Sequence, residues 1–272
     1  MKRVVFIFSL LITTISCQDV IEVDVPEGPE RLVVNASLKF YLNESPISFE
    51  NEIQLTLSTP FFDEEIPTVN NATVYITNLD DNSIINYENI GEGVYIPEGS
   101  QTNTIADFNT TYELTVVYNN ETFKATTQMQ PAVPIDTIEQ GDGTFFGGDE
   151  TEIIVTFTDD GTRDDFYLFD FGFDLIEVSE DRFYQGQSFS FSYFYEDMFA
   201  GQEITLKILG IDEQFYNYAF QVIELSDQDN SDPFQVPPSV TRGNILNTEN
   251  PDNFALGYFS ISEAYRLNFT IE

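Results

Sequence analysis

Histidine and tryptophan are absent from this 272-residue chain, cysteine occurs once, and lysine and arginine together number only 10. Catalysis by Ser-His-Asp or Cys-His groups needs an imidazole, and transition-metal sites use His or Cys ligands, so both are excluded. A single cysteine also excludes an intramolecular disulfide. Glycoside hydrolysis by paired carboxylates stays open, although abundant acids make no single pair stand out. We predict that the chain is not an enzyme and has no catalytic residues.

Acidic residues dominate the charge of the chain. Asp and Glu number 47, and the formal net charge is −37. Nucleic acids and anionic lipid surfaces repel such a chain, so we predict no nucleic-acid partner. Hydrophobic residues nevertheless make up 42% and aromatic residues 15%, including 26 Phe and 14 Tyr, which is ample material for a folded core. This aromatic content favours β-sheets.

The N-terminus has the pattern of a lipoprotein signal peptide. Two basic residues at positions 2 and 3 precede an apolar run over 4–12, and small, weakly polar residues lead to Cys17. The apolar run is too short to span a bilayer as a permanent helix. We therefore predict that residues 1–16 are removed and that acyl chains on Cys17 anchor the mature protein to a membrane.

Acidic residues follow the predicted anchor. Gln18, Asp19, Glu22 and Asp24 resemble the export signal of Bacteroidota surface lipoproteins, in which acids behind the lipidated cysteine are associated with display on the outer face of the outer membrane. Residues 17–29 are accordingly predicted to form an acidic, lipid-anchored tether that faces the cell exterior. The alternative is a solvated spacer in a chain that is acidic throughout.

The first half of the chain reads as a series of short strands between turn signals. The adjacent Asn119 and Asn120 tolerate the positive φ of a tight hairpin turn between two of them. This pattern is typical of an all-β unit, and we predict an immunoglobulin-like or fibronectin-like β-sandwich over 30–131. The predicted strands cover 31–40, 52–58, 72–78, 83–87, 93–96, 111–118 and 121–128.

The second half, 132–272, is predicted to be a second β-rich domain that carries one amphipathic helix near 212–228. Asp212 can cap this helix, and apolar residues recur behind it at steps of three and four. The aromatic residues of the helix are expected to pack against a sheet. The predicted strands cover 151–158, 166–178, 187–195, 202–209, 254–261 and 264–271.

Several short segments, in this order, resemble the family known as domain of unknown function 4249. The segments are Leu32-Val33-Val34-Asn35-Ala36, Val74-Tyr75-Ile76, Gly93-Val94-Tyr95, Tyr112-Glu113-Leu114, Tyr216-Asn217-Tyr218, Gly243-Asn244-Ile245 and Leu256-Gly257-Tyr258-Phe259-Ser260. The resemblance covers roughly residues 20 to 270 of the chain. Members of this family are Bacteroidota lipoproteins, commonly found beside outer-membrane TonB-dependent receptors. The resemblance implies an accessory of such a transporter and brings no assigned activity or site residues.

One loop is a candidate calcium site, since hard cations favour several oxygen ligands from one loop. Asp159, Asp160, Asp164 and Asp165 flank a glycine and could wrap their oxygens around an ion. Two alternatives are that Arg163 neutralises these acids or that the loop is a solvated acidic turn. A second acidic stretch, 227–232, begins like an EF-hand loop but lacks its glycine and its final glutamate. No other cofactor is expected.

Aromatic residues crowd the region 181–199. Tyr184, Tyr193 and Tyr195 are candidates for contact with a partner or ligand, if one face of the strand is exposed. The alternative is a strand that is covered on both faces.

The predicted function is that of a cell-surface lipoprotein of the outer membrane. The expected role is an accessory or ligand-binding partner of a TonB-dependent transporter in nutrient uptake. The alternatives are a structural or adhesive surface lipoprotein with no transport role and, as a third class, a carboxylate hydrolase.

Overall fold

The computed structural model describes residues 28–60, 63, 65–99, 107–144, 148, 150–173, 175–226 and 241–272. The predicted signal peptide, the lipidation site Cys17 and the export signal of Gln18, Asp19, Glu22 and Asp24 lie outside these residues, as does the acidic stretch 227–232. No helix within the described ranges is long and apolar enough to cross a membrane.

The described chain contains sixteen strands and one α-helix. In chain order these are β1 (Leu32–Tyr41), β2 (Ser48–Glu50), β3 (Ile53–Leu57), β4 (Thr73–Asn78), β5 (Ile84–Gly91), β6 (Val94–Pro97), β7 (Thr111–Tyr118), β8 (Glu121–Gln130), β9 (Ile135–Gln140), β10 (Thr151–Thr158), β11 (Phe166–Asp170), β12 (Ile176–Glu180), β13 (Ser188–Tyr195), β14 (Glu203–Ile211), α1 (Glu213–Ser226), β15 (Leu246–Asn247) and β16 (Leu256–Thr270).

Eight of the strands close into a barrel in the order β1, β3, β6, β5, β4, β7, β8 and β16. Neighbours are antiparallel except at β16, which runs parallel to both β1 and β8 and closes the ring. Alternate residues of β1 (Val34, Ala36, Leu38 and Phe40) point into a core filled by side chains.

The predicted mostly β class is confirmed, but the first half is a barrel rather than an immunoglobulin-like or fibronectin-like sandwich. Residues 30–131 supply seven of the eight ring strands, and β16 supplies the last one. Alternation along a strand specifies one buried face without specifying which strands pair. The closing contact, which aligns Ile261 of β16 with Met129 of β8, joins segments far apart in the chain.

The strand β16 also belongs to a second layered unit. Its first half pairs with β1, and its second half, from Ala264 to Thr270, pairs with β14, which is followed by β11 and β12. A separate sheet of β13, β10 and β9 packs over this extension. The apolar residues between the two layers include Phe157, Phe171 and Ile208. The second half of the chain is therefore a small sandwich that shares a strand with the barrel.

The predicted helix is confirmed as α1. The Asp212 carboxylate accepts a hydrogen bond from the Phe215 N–H at 2.6 Å and caps the helix. Phe215 and Ala219 are buried, and the Phe215 ring stacks on Tyr258 of β16 with centroids 4.7 Å apart. The apolar face of α1 therefore packs on the face of the large sheet opposite the face covered by the separate sheet of β13, β10 and β9.

Three local predictions can be compared with the structure. Asn119 and Asn120 have φ values of 49° and 64°, which confirms the hairpin between β7 and β8. The strand predicted over 166–178 is instead the hairpin of β11 and β12, which turns at Gly172 and Phe173. The two closing strands predicted over 254–271 are one continuous strand, β16.

Candidate functional site

The aromatic residues of β13 point into the sandwich. Tyr195 is only 3% exposed, and its hydroxyl donates to the Phe171 carbonyl at 2.8 Å. Tyr193 is half-buried, and its ring stacks on Phe171 with centroids 4.3 Å apart. Tyr184, 5% exposed, donates to the Ser179 hydroxyl at 2.8 Å. Contact with a partner requires exposure, which Tyr184 and Tyr195 lack. Alternation along β13 directs Tyr193 and Tyr195 inward, whereas Tyr184 lies in the turn before this strand.

The exposed aromatic rings of this region lie on neighbouring turns. A cavity of about 500 Å³ opens between the β11–β12 turn and the chain that leaves β13. We call this cavity the aromatic mouth; its lining includes Phe173, Leu175, Tyr193, Tyr195, Met198 and Gln202. Phe173 at its rim is 60% exposed, and Phe199 close by is 67% exposed.

Phe173 combines exposure with an unfavourable backbone. Its φ of 54° lies in the left-handed region, which is uncommon for bulky residues. A residue in this region costs about 1–3 kcal/mol unless neighbouring structure compensates for it. The Phe173 ring contacts the Tyr195 ring edge-on, with ring centroids 6.4 Å apart, but most of it remains exposed to solvent. The sequence prediction missed this residue because it placed Phe173 inside a continuous strand.

The aromatic mouth also contains a polar atom without a partner. The Gln202 side-chain oxygen is buried and accepts no hydrogen bond from any described residue. An unpaired buried acceptor costs about 1–3 kcal/mol, a cost that a donor from a ligand or an ordered water can offset.

Two of the four predicted calcium ligands lie together, and a third acid joins them. Asp159 and Asp165 are buried beside Asp181, with carboxylate oxygens within 4.8 Å of one another. We call these three residues the acidic cluster. The Tyr167 hydroxyl donates to Asp159 at 2.6 Å and to Asp165 at 2.8 Å. The Gly186 N–H donates to Asp159, and the Asp165 N–H donates to Asp181, both at 2.7 Å.

Arg163 pairs with two of the predicted calcium ligands. Its Nε lies 2.7 Å and 2.8 Å from the two oxygens of Asp165, and its Nη1 lies 3.0 Å from Asp160. Asp160 also accepts two hydrogen bonds from Thr162, and Asp164 accepts one from Gln185. Asp160 and Asp164 therefore lie outside the acidic cluster, so the four predicted calcium ligands do not converge on one point.

Burial raises the pKa of two of the carboxyl groups in the acidic cluster. Burial raises the pKa of Asp165 above its ordinary value, even though Arg163 and Tyr167 oppose the change. Burial and the nearby charge of Asp159 likewise raise the pKa of Asp181, against the opposing hydrogen bond from the Asp165 N–H. Within the acidic cluster, Arg163 forms its ion pair with Asp165.

A second concave region lies on the outer face of the large sheet. Its volume is about 720 Å³, and one wall comes from β1 and the β2–β3 segment while the other comes from β11, β12, β14 and α1. We call this region the polar groove. Its lining includes Asn35, Ser37, Lys39, Asn51, Glu52 and Gln54 on the first wall, and Leu168, Asp170, Ile176, Leu209 and Phe215 on the second.

Glu50 organises the charges at the polar groove. It accepts hydrogen bonds from the Tyr41 hydroxyl at 2.7 Å and from Lys39 Nζ at 2.9 Å, and Lys207 lies 3.1 Å away. Burial alone would raise the pKa of Glu50, but the hydrogen bonds from Tyr41, Lys39 and Lys207 and the charge of Lys39 outweigh it and lower the pKa to about 2. Glu50 is therefore ionised at all ordinary pH values.

The fold is that of a mostly β protein in which a filled barrel and a small sandwich share one strand, with concave regions beside that strand. The chain belongs to the family described as domain of unknown function (DUF4249), which matches residues 18–267. The predicted family membership is thereby confirmed. Comparison with curated proteins finds no match.

Proposed function

We propose that this protein is a cell-surface lipoprotein of the outer membrane that acts as an accessory or ligand-binding partner of a TonB-dependent transporter in nutrient uptake. The pattern of residues around Cys17 supports the lipid anchor, and the acids behind it support display at the cell exterior. Family membership supports the link to a transporter, since the family is associated with TonB-dependent receptors.

The aromatic mouth is the observation that carries the contact role. A phenylalanine ring at the tip of a turn gains little from folding when most of it stays in solvent, and the left-handed backbone of Phe173 adds a cost. A partner that covers Phe173 and Phe199 would bury both rings. Large aromatic residues often dominate the binding energy of interfaces.

The unpaired oxygen of Gln202 supports the same surface. A donor from the partner or its cargo can satisfy this acceptor inside the aromatic mouth. The aromatic mouth therefore offers a partner exposed apolar rings at its rim and one unpaired acceptor inside.

The test is a pull-down of the tagged, natively lipidated protein from outer membranes in mild detergent, followed by mass spectrometry. We expect a TonB-dependent receptor in stoichiometric amount. The double variant Phe173→Ala/Phe199→Ala should lose this receptor, whereas Phe108→Ala, which removes an exposed ring before β7, should retain it.

Recovery of the wild-type protein alone would contradict the transporter role and favour an independent surface binder or adhesin. Equal recovery of the receptor by the double variant would move the contact away from the aromatic mouth. Thermal unfolding of each variant checks that the fold is intact.

A further inference from the structure

We propose that the polar groove is a binding site for a neutral carbohydrate, such as a short oligosaccharide. This inference names the cargo class for the proposed accessory role and rests on that role for its place in uptake. The binding itself is a property of the purified chain. The volume of the polar groove, about 720 Å³, falls within the range of about 300–1,000 Å³ that is usual for small-molecule sites.

The first wall of the polar groove presents side chains rather than backbone. Asn35, Ser37 and Lys39 alternate along β1 and face outward, while the residues between them fill the barrel. Gln54 of β3 lies opposite Asn35. The backbone of β1 is paired on both sides, with β16 and with β2 and β3. A peptide that binds as an added strand needs an open edge, so recognition here falls to side-chain groups.

Asn51 is the strongest indication of a ligand. It sits between β2 and β3, is only 8% exposed and lines the polar groove. Its side chain makes no hydrogen bond to any described residue. Its amide nitrogen and oxygen are not among the fully buried unpaired atoms of the described chain, so they open onto the polar groove, where a ligand can complete their hydrogen bonds. Asn35, at the same wall, is exposed and likewise makes no side-chain hydrogen bond within the described chain.

The chemistry of these two amides fits hydroxyl groups. Each amide donates through its nitrogen and accepts through its oxygen. A sugar hydroxyl also donates and accepts, so neighbouring hydroxyls can satisfy both atoms of one amide. Ser37 adds a further group of the same kind.

The charges at the polar groove disfavour an anionic ligand. Lys39 is paired with Glu50, and Lys207 is paired with Glu50 and Asp170. Glu52, in contrast, is exposed and has no ion pair within the described chain. The spare charge at the groove is therefore negative, as is the charge of the whole chain, so a neutral ligand avoids repulsion.

The second wall provides the apolar counterpart. Ile176 of β12, which is 38% exposed, provides its accessible apolar surface beside the buried Leu168, Leu209 and Phe215. Pyranose rings carry hydroxyls at their edges and C–H groups on their faces, so a ring can place its face on this wall and its hydroxyls toward Asn35 and Asn51. The groove thus matches both surfaces of a sugar, which a purely polar or purely apolar ligand would not use.

The test uses the full-length, natively lipidated protein in mild detergent on an array of short gluco-, manno-, galacto- and xylo-oligosaccharides, with oligogalacturonides as the anionic comparison. Calorimetry then measures the affinity for each oligosaccharide that binds. We expect saturable binding to at least one neutral oligosaccharide. Asn51→Ala should weaken it at least about tenfold, because one buried amide loses its bonds to the ligand.

Asn109→Ala is the matched control, since Asn109 is an exposed asparagine in the loop before β7. It should bind as the wild type does. Asn51→Ala should unfold at the wild-type temperature or above, because no intramolecular hydrogen bond is lost, which separates a binding defect from a folding defect.

Three outcomes would overturn the proposal: no binding of any neutral oligosaccharide, wild-type affinity in Asn51→Ala, or tighter binding of the oligogalacturonides. None of them bears on the transporter, because the array contains only the purified protein. Loss of the receptor from the pull-down, in turn, would leave the sugar affinity unchanged.

Discussion

Lys207 Nζ lies 3.1 Å and 3.2 Å from the two carboxylate oxygens of Glu50, although the two residues are 157 positions apart in the chain. Lys207 belongs to β14 of the sandwich, and Glu50 belongs to β2, which pairs with β1 on the barrel. The ion pair therefore joins the two parts of the molecule at the polar groove. Solvent screening reduces the contribution of this ion pair to stability, since the Glu50 side chain is 38% exposed.

We expect Glu50→Gln to lower the free energy of unfolding by about 1 kcal/mol, since Lys39 and Lys207 lose their shared partner. The folded pKa of Glu50 is about 2, below its ordinary value of 4.5. Its contribution is therefore present above pH 4.5 and is lost as the pH falls toward 2. Urea unfolding at pH 7 and at pH 3 measures this loss.

Glu52→Gln is the control for this experiment because Glu52 is a neighbouring exposed carboxylate without an ion pair. Its stability should equal that of the wild type at pH 7. Equal stability of Glu50→Gln and the wild type would contradict a stabilising role for the network.

We expect Asp181→Asn to raise the melting temperature at pH 7. The folded pKa values of Asp165 and Asp181 lie above the ordinary 3.8, so the folded state binds their protons more tightly than the unfolded state does. The stability that this provides is fully present below pH 3.8 and is lost as the pH rises through the raised values. An asparagine keeps an oxygen that can accept from the Asp165 N–H and removes one charge. A rise of about 2 °C or more is expected in differential scanning calorimetry at pH 7.

At pH 3 the same variant should differ less from the wild type, because the carboxyl groups are then mostly protonated. Asp142→Asn serves as the control, since Asp142 is an exposed aspartate in the loop after β9. A lower melting temperature of Asp181→Asn at pH 7 would show that the charge of Asp181 stabilises the fold.

Gly257→Ala should destabilise the junction between β16 and β1 by more than about 3 kcal/mol. Gly257 has φ +92°, and a Cβ there would collide with the carbonyl oxygen of Val34, its partner on β1. Gly91→Ala separates the two effects, because Gly91 has φ +108° but open space around it. It should cost only about 1 kcal/mol, measured by urea unfolding. Similar losses in both variants would mean that the collision is relieved by movement of β1.

Calcium should produce no heat above dilution in a calorimetric titration of the full chain at pH 7. Arg163 and Tyr167 already supply donors to the acidic cluster, and Asp160 and Asp164 are bonded elsewhere. An ion would have to displace these contacts. Saturable heat that disappears in Asp159→Asn would instead establish the acidic cluster as a calcium site.

Local patterns predicted the strands and the helix well. Alternation along β1, the paired asparagines after β7 and the capping Asp212 each act within a few residues, so a short window of sequence contains the whole signal. The turn at Phe173 was missed because a phenylalanine with positive φ is unfavourable and has no common sequence signature.

Long-range contacts were beyond such patterns. Asp181 joins Asp159 and Asp165 only because a backbone turn after β12 brings it back to their loop. Asn51 has no distinguishing neighbours in sequence, and its importance comes from burial between β2 and β3 beside a helix that begins at residue 213. Barrel closure likewise depends on which strands pair, which alternation leaves open.

The position of β16 has a consequence for how the chain folds. Among the strands that the structure describes, the one that closes the barrel comes last in the sequence, and its partner β1 comes first. During synthesis, more than two hundred residues are added after β1 before its parallel neighbour β16 is made. Pairings between segments so far apart in the sequence form slowly. Until β16 arrives, β1 and β8 each present an unpaired edge, so the nascent chain passes through a long interval in which misassociation competes with closure.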